Sequence, residues 1–188
     1  MAGEAHLGMF WRKRDTDTAR RLYVRIVAQA REPAFYTRLG VADSADGRFD
    51  MIALHAYLVL RRLKRDRAQS ARLAQSLFDV FFADMDQNLR AMGVGDLSVG
   101  RTVKEMAKLF YGRVSAYDEG LVAGAGVLAD ALARNLYRGA GVETGAVEAM
   151  AGCVRREADA LERQPLDPLL GGDVSFGRPP FAGKEESP

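Results

Sequence analysis

The hydrophobic residues of this chain recur every three or four positions, which is the spacing that places them on one face of an α-helix. A first helix is expected from Asp17, with a hydrophobic face that ends before Pro33. Further faces run from Phe49 to Leu63 and from Leu73 to Met92. Since no stretch shows the apolar-polar alternation of a half-buried strand, the pattern predicts an all-α protein.

The second half of the chain continues the helical spacing. Gly93 predicts a left-handed C-terminal cap, and Ser98 and Thr144 are the expected N-caps of later helices. These later helices are predicted over 99–121, 127–137 and 145–161. We therefore expect a single-domain helical bundle or orthogonal array of about six helices with an irregular C-terminal tail.

Three parts are predicted along the 188 residues. Residues 1–14 form a basic and aromatic arm, 15–164 a helical domain, and 165–188 a tail rich in proline and glycine. The longest apolar run, Met51–Leu60, is about half as long as the ~20 residues that cross a bilayer. Because the first nine residues also lack the apolar region of a signal peptide, we expect neither export nor a spanning helix.

The overall charge changes this picture little. A formal net charge of +2 is only mildly basic and does not by itself predict DNA binding. Cys153 is the single cysteine, which excludes an internal disulfide and favours a reducing compartment such as the cytoplasm.

Two motifs resemble cofactor or metal sites in their letters alone. Gly124–Ala129 has the letters of a dinucleotide-binding fingerprint, but it is predicted to follow a helix, whereas that motif follows a strand. Asp79, Asp84 and Asp86 offer carboxylates, but their spacing places them on different faces of a helix. We therefore expect solvated or ion-paired carboxylates, with no cofactor and no metal.

A pairing of Cys153 with His55 is the candidate nucleophilic site. His55 lies inside an apolar helix and Cys153 lies far away in sequence, so a core histidine is the favoured interpretation. No phosphate loop, zinc motif or nucleophile elbow is present in the sequence. The sequence therefore predicts a protein that is not an enzyme and has no catalytic residue.

Small residues recur every four positions at Gly112, Ala116, Gly120 and Gly124. Glycine inside a helix costs about 1 kcal/mol relative to alanine, so close approach of another helix is expected to compensate. That helix belongs either to the same domain or to a bound protein, because small-residue stripes also suit the packing of membrane helices.

Two basic clusters are candidate contact surfaces. The first combines aromatic and cationic side chains, as an interfacial membrane anchor or an RNA-contacting arm would. Its members are Trp11, Arg12, Lys13, Arg14, Arg20 and Arg21. The second cluster spans Arg61–Arg67. Either cluster can equally be a solvated surface, and a basic module that binds ribosomal RNA or an anionic membrane is the alternative function.

A resemblance to a known family rests on two segments, Phe81–Gly100 and Lys108–Tyr117, supported by Gly47–Asp50 and Leu58–Arg62. The first segment is acidic and punctuated by glycines, and the second carries Phe-Tyr-Gly-Arg. Together they resemble the ubiquinol-cytochrome c chaperone family over roughly 20–138. That family is all-helical and non-enzymatic, and its mitochondrial members act in biogenesis of the cytochrome bc1 complex by binding newly made cytochrome b near the ribosome.

The resemblance implies a chaperone or assembly factor on the cytoplasmic side of the inner membrane, with nascent cytochrome b as its client. It also implies peripheral contact with that membrane, proximity to the ribosome and a small partner subunit like that of the mitochondrial relatives. Tyrosine and arginine are among the types that dominate protein interfaces. The candidate client- or partner-binding residues are Asp84, Asp86, Arg90, Gly93, Gly95, Asp96, Gly100, Tyr111, Gly112, Arg113, Tyr117 and Asp118.

Overall fold

The computed structural model describes residues 2–180, with side chains from residue 14 onward. These residues form helices joined by short loops, and no strand occurs within the described range. The helices are α1 (Ala2–Ala30), α2 (Pro33–Thr37), α3 (Ala45–Arg65), α4 (Arg67–Ala91), α5 (Asp96–Ala123), α6 (Ala125–Asn135), α7 (Thr144–Arg163) and α8 (Leu166–Leu170). The all-α prediction is confirmed, and the two short helices α2 and α8 add to the six that were expected.

Helix α1 begins earlier than the sequence pattern indicated. It starts at Ala2 and not near Asp17, so the backbone of the predicted arm continues directly into the first helix. The side chains of Trp11, Arg12 and Lys13 lie outside the described residues.

Two of the three predicted caps are wrong. Gly93 has φ +85° and ends α4 in the left-handed conformation, as expected. Ser98, however, lies inside the first turn of α5, because its amide already donates to the carbonyl of Gly95, which is the N-cap. Thr144 is the first residue of α7, and Glu143 at the N-cap makes no side-chain capping bond.

Helix α3 forms the centre of the core. Every residue from Met51 to Val59 is buried, because α1, α4 and α7 pack around this helix. Helix α5 packs on α4 and on α6, and α6 in turn packs on α7. No helix in the described part of the chain is long and apolar enough to cross a membrane.

A buried ion-pair network ties the second half of the chain to α3. The Asp50 side chain is almost completely buried and accepts hydrogen bonds from Arg138, with Nε 2.7 Å from Oδ2. Arg113 of α5 forms an ion pair with the same carboxylate at 2.6 Å. Two arginines from distant parts of the chain therefore converge on one carboxylate, so both are anchored against α3.

The described part of the predicted tail packs against the helices. Leu169 and Val174 are buried, and the side chain of Gln29 donates to the carbonyl of Gly177 at 2.9 Å. The Gly177 amide donates to Glu157 at 2.9 Å. Although the segment after α8 is irregular, as predicted, it belongs to the folded body as far as Pro180.

Candidate functional site

The turn between α4 and α5 is braced by one arginine. Arg90 Nε lies 2.6 Å from Asp86 on the same helix, and Arg90 Nη1 pairs with Asp96 at the start of α5. Gly93 closes the turn with its positive φ. Three polar residues that the sequence singled out therefore set the geometry of the turn, and they remain on the surface.

Large apolar side chains are exposed around this turn. Leu97 is 98% exposed and Met92 is 63% exposed, whereas Val99 is the one buried residue between Gly93 and Leu109. We call residues 88–109 the α4–α5 hairpin tip. Gly95 and Gly100 lie in this tip with open space around them, so neither is required for close packing.

Several predicted contact residues serve the interior of the protein instead. Tyr117 is only 2% exposed, and its ring lies 5.5 Å from that of Tyr57. Arg113 is committed to Asp50 with 13% of its side chain exposed. The expectation that Tyr117 and Arg113 offer a free surface is corrected by this placement, because both are packed against α3.

The two other predicted carboxylates are partly buried acceptors. Asp84 accepts a hydrogen bond from the Tyr23 hydroxyl at 2.7 Å, and the hydroxyl of Tyr57 donates to Asp118 at the same distance. Burial and these carboxylates raise the pKa of both tyrosines. No group of ligands that could hold a metal ion occurs among the described residues.

An open groove lies between α3, α4 and α5, and its accessible volume is about 540 Å³. Tyr111 and Asp118, two predicted contact residues, lie in its wall. The aromatic rings of Phe78 and Tyr111 stack with their centroids 5.6 Å apart, and Tyr111 is 60% exposed. We call this feature the α3–α5 groove.

The apolar α4 side of the groove was missed in the sequence, whereas its basic end belongs to the second basic cluster, Arg61–Arg67. Ala71, Ala74 and Phe78 line it from α4, and Lys64 and Arg67 lie at the end where α3 passes into α4. The alanines at three-residue spacing beside a phenylalanine are the signal that could have indicated it, because small residues on one face leave room for a partner.

The first basic cluster is partly engaged in the fold. Arg21 donates to the carbonyl of Gly171 at 3.0 Å and so helps to dock the C-terminal segment. Arg20 is exposed and lies 3.6 Å from Asp17, and Arg14 is exposed near the start of the described side chains. Of these cations, Arg21 therefore has a clear structural role.

The small-residue stripe contains one close approach. A Cβ on Gly120 would lie 2.6 Å from the Cα of Leu128 in α6, whereas a Cβ on Gly112 would meet nothing within 4 Å. Gly124, with φ +124°, is the single residue between α5 and α6. The neighbouring helix therefore belongs to the same domain at Gly120, and the stripe is open to solvent at Gly112.

His55 and Cys153 come near each other in the fold, although they lie far apart in sequence. Both residues line a very small cavity together with Glu157. Burial lowers the pKa of His55 to about 4 and raises that of Cys153 to about 11, so imidazole and thiol both remain neutral. His55 Nδ1 lies 2.9 Å from the carbonyl of Met51, as a core histidine would. A nucleophile needs a thiolate, so this pair is not activated.

Comparison with known proteins agrees with the resemblance. The family model described as ubiquinol-cytochrome C chaperone matches residues 37–176. A ubiquinol-cytochrome-c reductase complex assembly factor 1 from Xenopus laevis is 25% identical over 83% of this chain and 78% of its own length. The human protein of that description is 26% identical over 84% of this chain, but the match spans only 53% of the human protein.

A solved structure gives the same result. The crystal structure of the Cbp3 homolog from Brucella abortus superposes with a TM-score of 0.81, at 35% identity, over 93% of this chain and 96% of that one. The family match covers α3 to α8, and with them the hairpin tip and the groove. The chain therefore belongs to the ubiquinol-cytochrome c chaperone family, whose members are assembly factors and not enzymes.

Proposed function

We propose that this protein acts in the assembly of the ubiquinol-cytochrome c reductase complex by holding newly made cytochrome b. The family and the names of its relatives support a role in the assembly of this complex. The client is inferred from the sequence resemblance, and the contact surface from the exposed side chains of the hairpin tip.

The observation that carries the proposal is the exposure of Leu97 and Met92 beside a braced turn. Met92 and Leu97 flank this turn within five residues of each other, and clustered exposed apolar side chains are typical of interaction sites. The turn between them is held by Arg90, which bridges α4 to α5. The tip therefore presents its apolar groups on a preorganised support, which lowers the entropic cost of binding.

The exposed predicted residues fit this surface. Asp86, Arg90 and Asp96 place charges at the same turn as the apolar groups, and charges beside an apolar contact favour specificity over raw affinity. Gly100 leaves open space on the next turn of α5.

The test is a pair of substitutions on the same helix. Leu97→Asp places a charge on the tip, and Val122→Asp places one on a similarly exposed position at the far end of α5. We expect Leu97→Asp to reduce the cytochrome b recovered by cross-linking in cells, with a parallel loss of assembled complex on native gels. Val122→Asp is expected to behave as wild type.

Deletion of the gene shows the effect of losing the protein completely, with which the two variants are compared. It should lower the assembled complex without lowering the transcripts of its subunits. Normal assembly in the deletion strain would refute the function, whereas equal effects of Leu97→Asp and Val122→Asp would refute only the placement of the surface on the tip.

We also propose a peripheral contact with the inner membrane or the nearby ribosome on the cytoplasmic side, through the basic part of α1. Exposed Arg20 and Arg25 flank the exposed Val24 on this helix. Each arginine is only weakly paired, at 3.6 Å, which leaves it able to contact phosphate. Binding should weaken steeply with salt, and unchanged flotation and ribosome co-sedimentation after charge reversal of Arg14 and Arg20 would refute it.

A further inference from the structure

The α3–α5 groove has an aromatic floor that no helix of the described chain covers. Phe78 stacks on Tyr111 and lies 6.1 Å from Phe110, so three rings form a continuous apolar surface. Tyr111 is largely exposed, and the neighbouring Ala71 on α4 is exposed as well. An open groove of about 540 Å³ with this lining suits the apolar side chains of a bound segment.

Of the basic side chains at one end of the groove, some form ion pairs within the protein and others do not. Arg61 and Arg65 both pair with Glu162, at 2.6 and 3.1 Å. Arg62 pairs with Asp66, which is therefore also occupied. These three arginines stabilise the packing of α3 and are not available to a partner.

Lys64 and Arg67 differ from those arginines. Both are exposed and line the groove, and neither forms an ion pair with any described residue. The one carboxylate in the lining, Asp118, already accepts the Tyr57 hydroxyl and lies 3.6 Å from Arg61. The groove therefore has an apolar floor and an uncompensated positive charge at one end.

We propose that the α3–α5 groove binds an apolar segment of the client protein that carries acidic side chains at one end. This inference rests on the proposed chaperone function and adds to it the location and the charge of a second contact. The apolar residues of the segment lie along Phe78, Phe110 and Tyr111. Its carboxylates meet Lys64 and Arg67, because these two cations of the groove lining form no ion pair with a described residue.

Two synthetic peptides test the charge of the occupant. They share one apolar helical sequence and end in either two glutamates or two lysines, and each carries a fluorophore for anisotropy measurements with the full-length protein. We expect a preference of roughly tenfold for the acidic peptide, which corresponds to about 1.4 kcal/mol, or about 0.7 kcal/mol for each of two surface ion pairs. Equal binding of both peptides by the wild-type protein would overturn the proposal.

Substitutions test the location. The double variant Lys64→Glu and Arg67→Glu should reverse the preference between the peptides. Arg134→Glu with Arg163→Glu makes the same change of net charge at two exposed cations that line no part of the groove, and should leave the preference unchanged. Ala71→Trp fills the groove and should weaken both peptides at least about fivefold. An unchanged preference in the first variant, or an equal reversal in its control, overturns the location.

A lipid occupant is the competing outcome. If vesicles of phosphatidylcholine and phosphatidylglycerol displaced the acidic peptide from the wild type but not from the Lys64→Glu and Arg67→Glu variant, the groove would be a lipid site and the proposal would be overturned. Failure here is distinguishable from failure of the chaperone function. If only the groove proposal is wrong, the deletion strain still shows an assembly defect. If the chaperone function is wrong, the deletion strain assembles the complex normally.

Discussion

Gly112 and Gly120 allow one substitution to be tested twice on a single helix. Both lie inside α5, two turns apart, and both belong to the same small-residue stripe. Replacement by alanine adds one methyl group at each position. We expect opposite effects on stability, because a new Cβ would face solvent at Gly112 and the backbone of α6 at Gly120.

The magnitudes follow from the geometry. Alanine favours a helix interior over glycine by about 1 kcal/mol, and this gain applies at both positions. At Gly120 the new Cβ would lie 2.6 Å from the Cα and 3.0 Å from the amide nitrogen of Leu128. Backbone atoms cannot rotate away as a flexible side chain can, so α6 must shift. Overpacking of this kind costs about 1–3 kcal/mol, and we expect the upper end.

The expected net results are a gain of about 1 kcal/mol for Gly112→Ala and a loss of about 2 kcal/mol for Gly120→Ala. Urea unfolding of both variants beside wild type measures this difference, and in a thermal scan about 3 kcal/mol corresponds to a separation of roughly 6–12 °C in Tm. Two equally stabilised variants would refute the close approach of α5 and α6 at Gly120. A loss at Gly112 would refute the open side of the stripe.

Three further predictions concern buried polar groups and the two tyrosines. Asp50→Asn should cost about 3–5 kcal/mol in urea unfolding, because it leaves buried Arg113 without a charged partner, and a cost below about 1 kcal/mol would contradict the network. His55 binds a proton more readily in the unfolded chain, so wild-type stability should fall by roughly 3 kcal/mol from pH 6.5 to 4. His55→Gln should lack this loss, and parallel pH profiles would show that His55 is not the group. Tyr117→Ala should cost about 3–5 kcal/mol and Tyr111→Ala less than about 1 kcal/mol, and equal costs would be inconsistent with their different burial.

Much of the secondary structure could be predicted because its cause is local. The three- and four-residue spacing of hydrophobic residues identified α3, α4 and α5, and Gly93 marked the end of α4. The cap errors at Ser98 and Thr144 are also local in origin. Several neighbouring residues can begin a helix, and the sequence does not say which amide is the first to donate along the helix.

The candidate site was predicted only in part. The signature identified the family and pointed to α4 and α5, where the exposed tip and one wall of the groove lie. It did not separate Tyr111, which is exposed, from Tyr117, which is buried against Tyr57. Both are tyrosines on one helix, and their roles depend on which side of α5 faces α3.

The sequence by itself determined the helices and the family of this protein, since periodicity and motif are properties of neighbouring residues. Only the tertiary structure decided which of several chemically similar side chains remain available for binding. Arg61 and Arg65 meet Glu162 from α7, whereas Lys64 and Arg67 meet no described carboxylate. The physical reason is that burial and charge pairing arise between helices distant in sequence, and helical spacing carries no information about that contact.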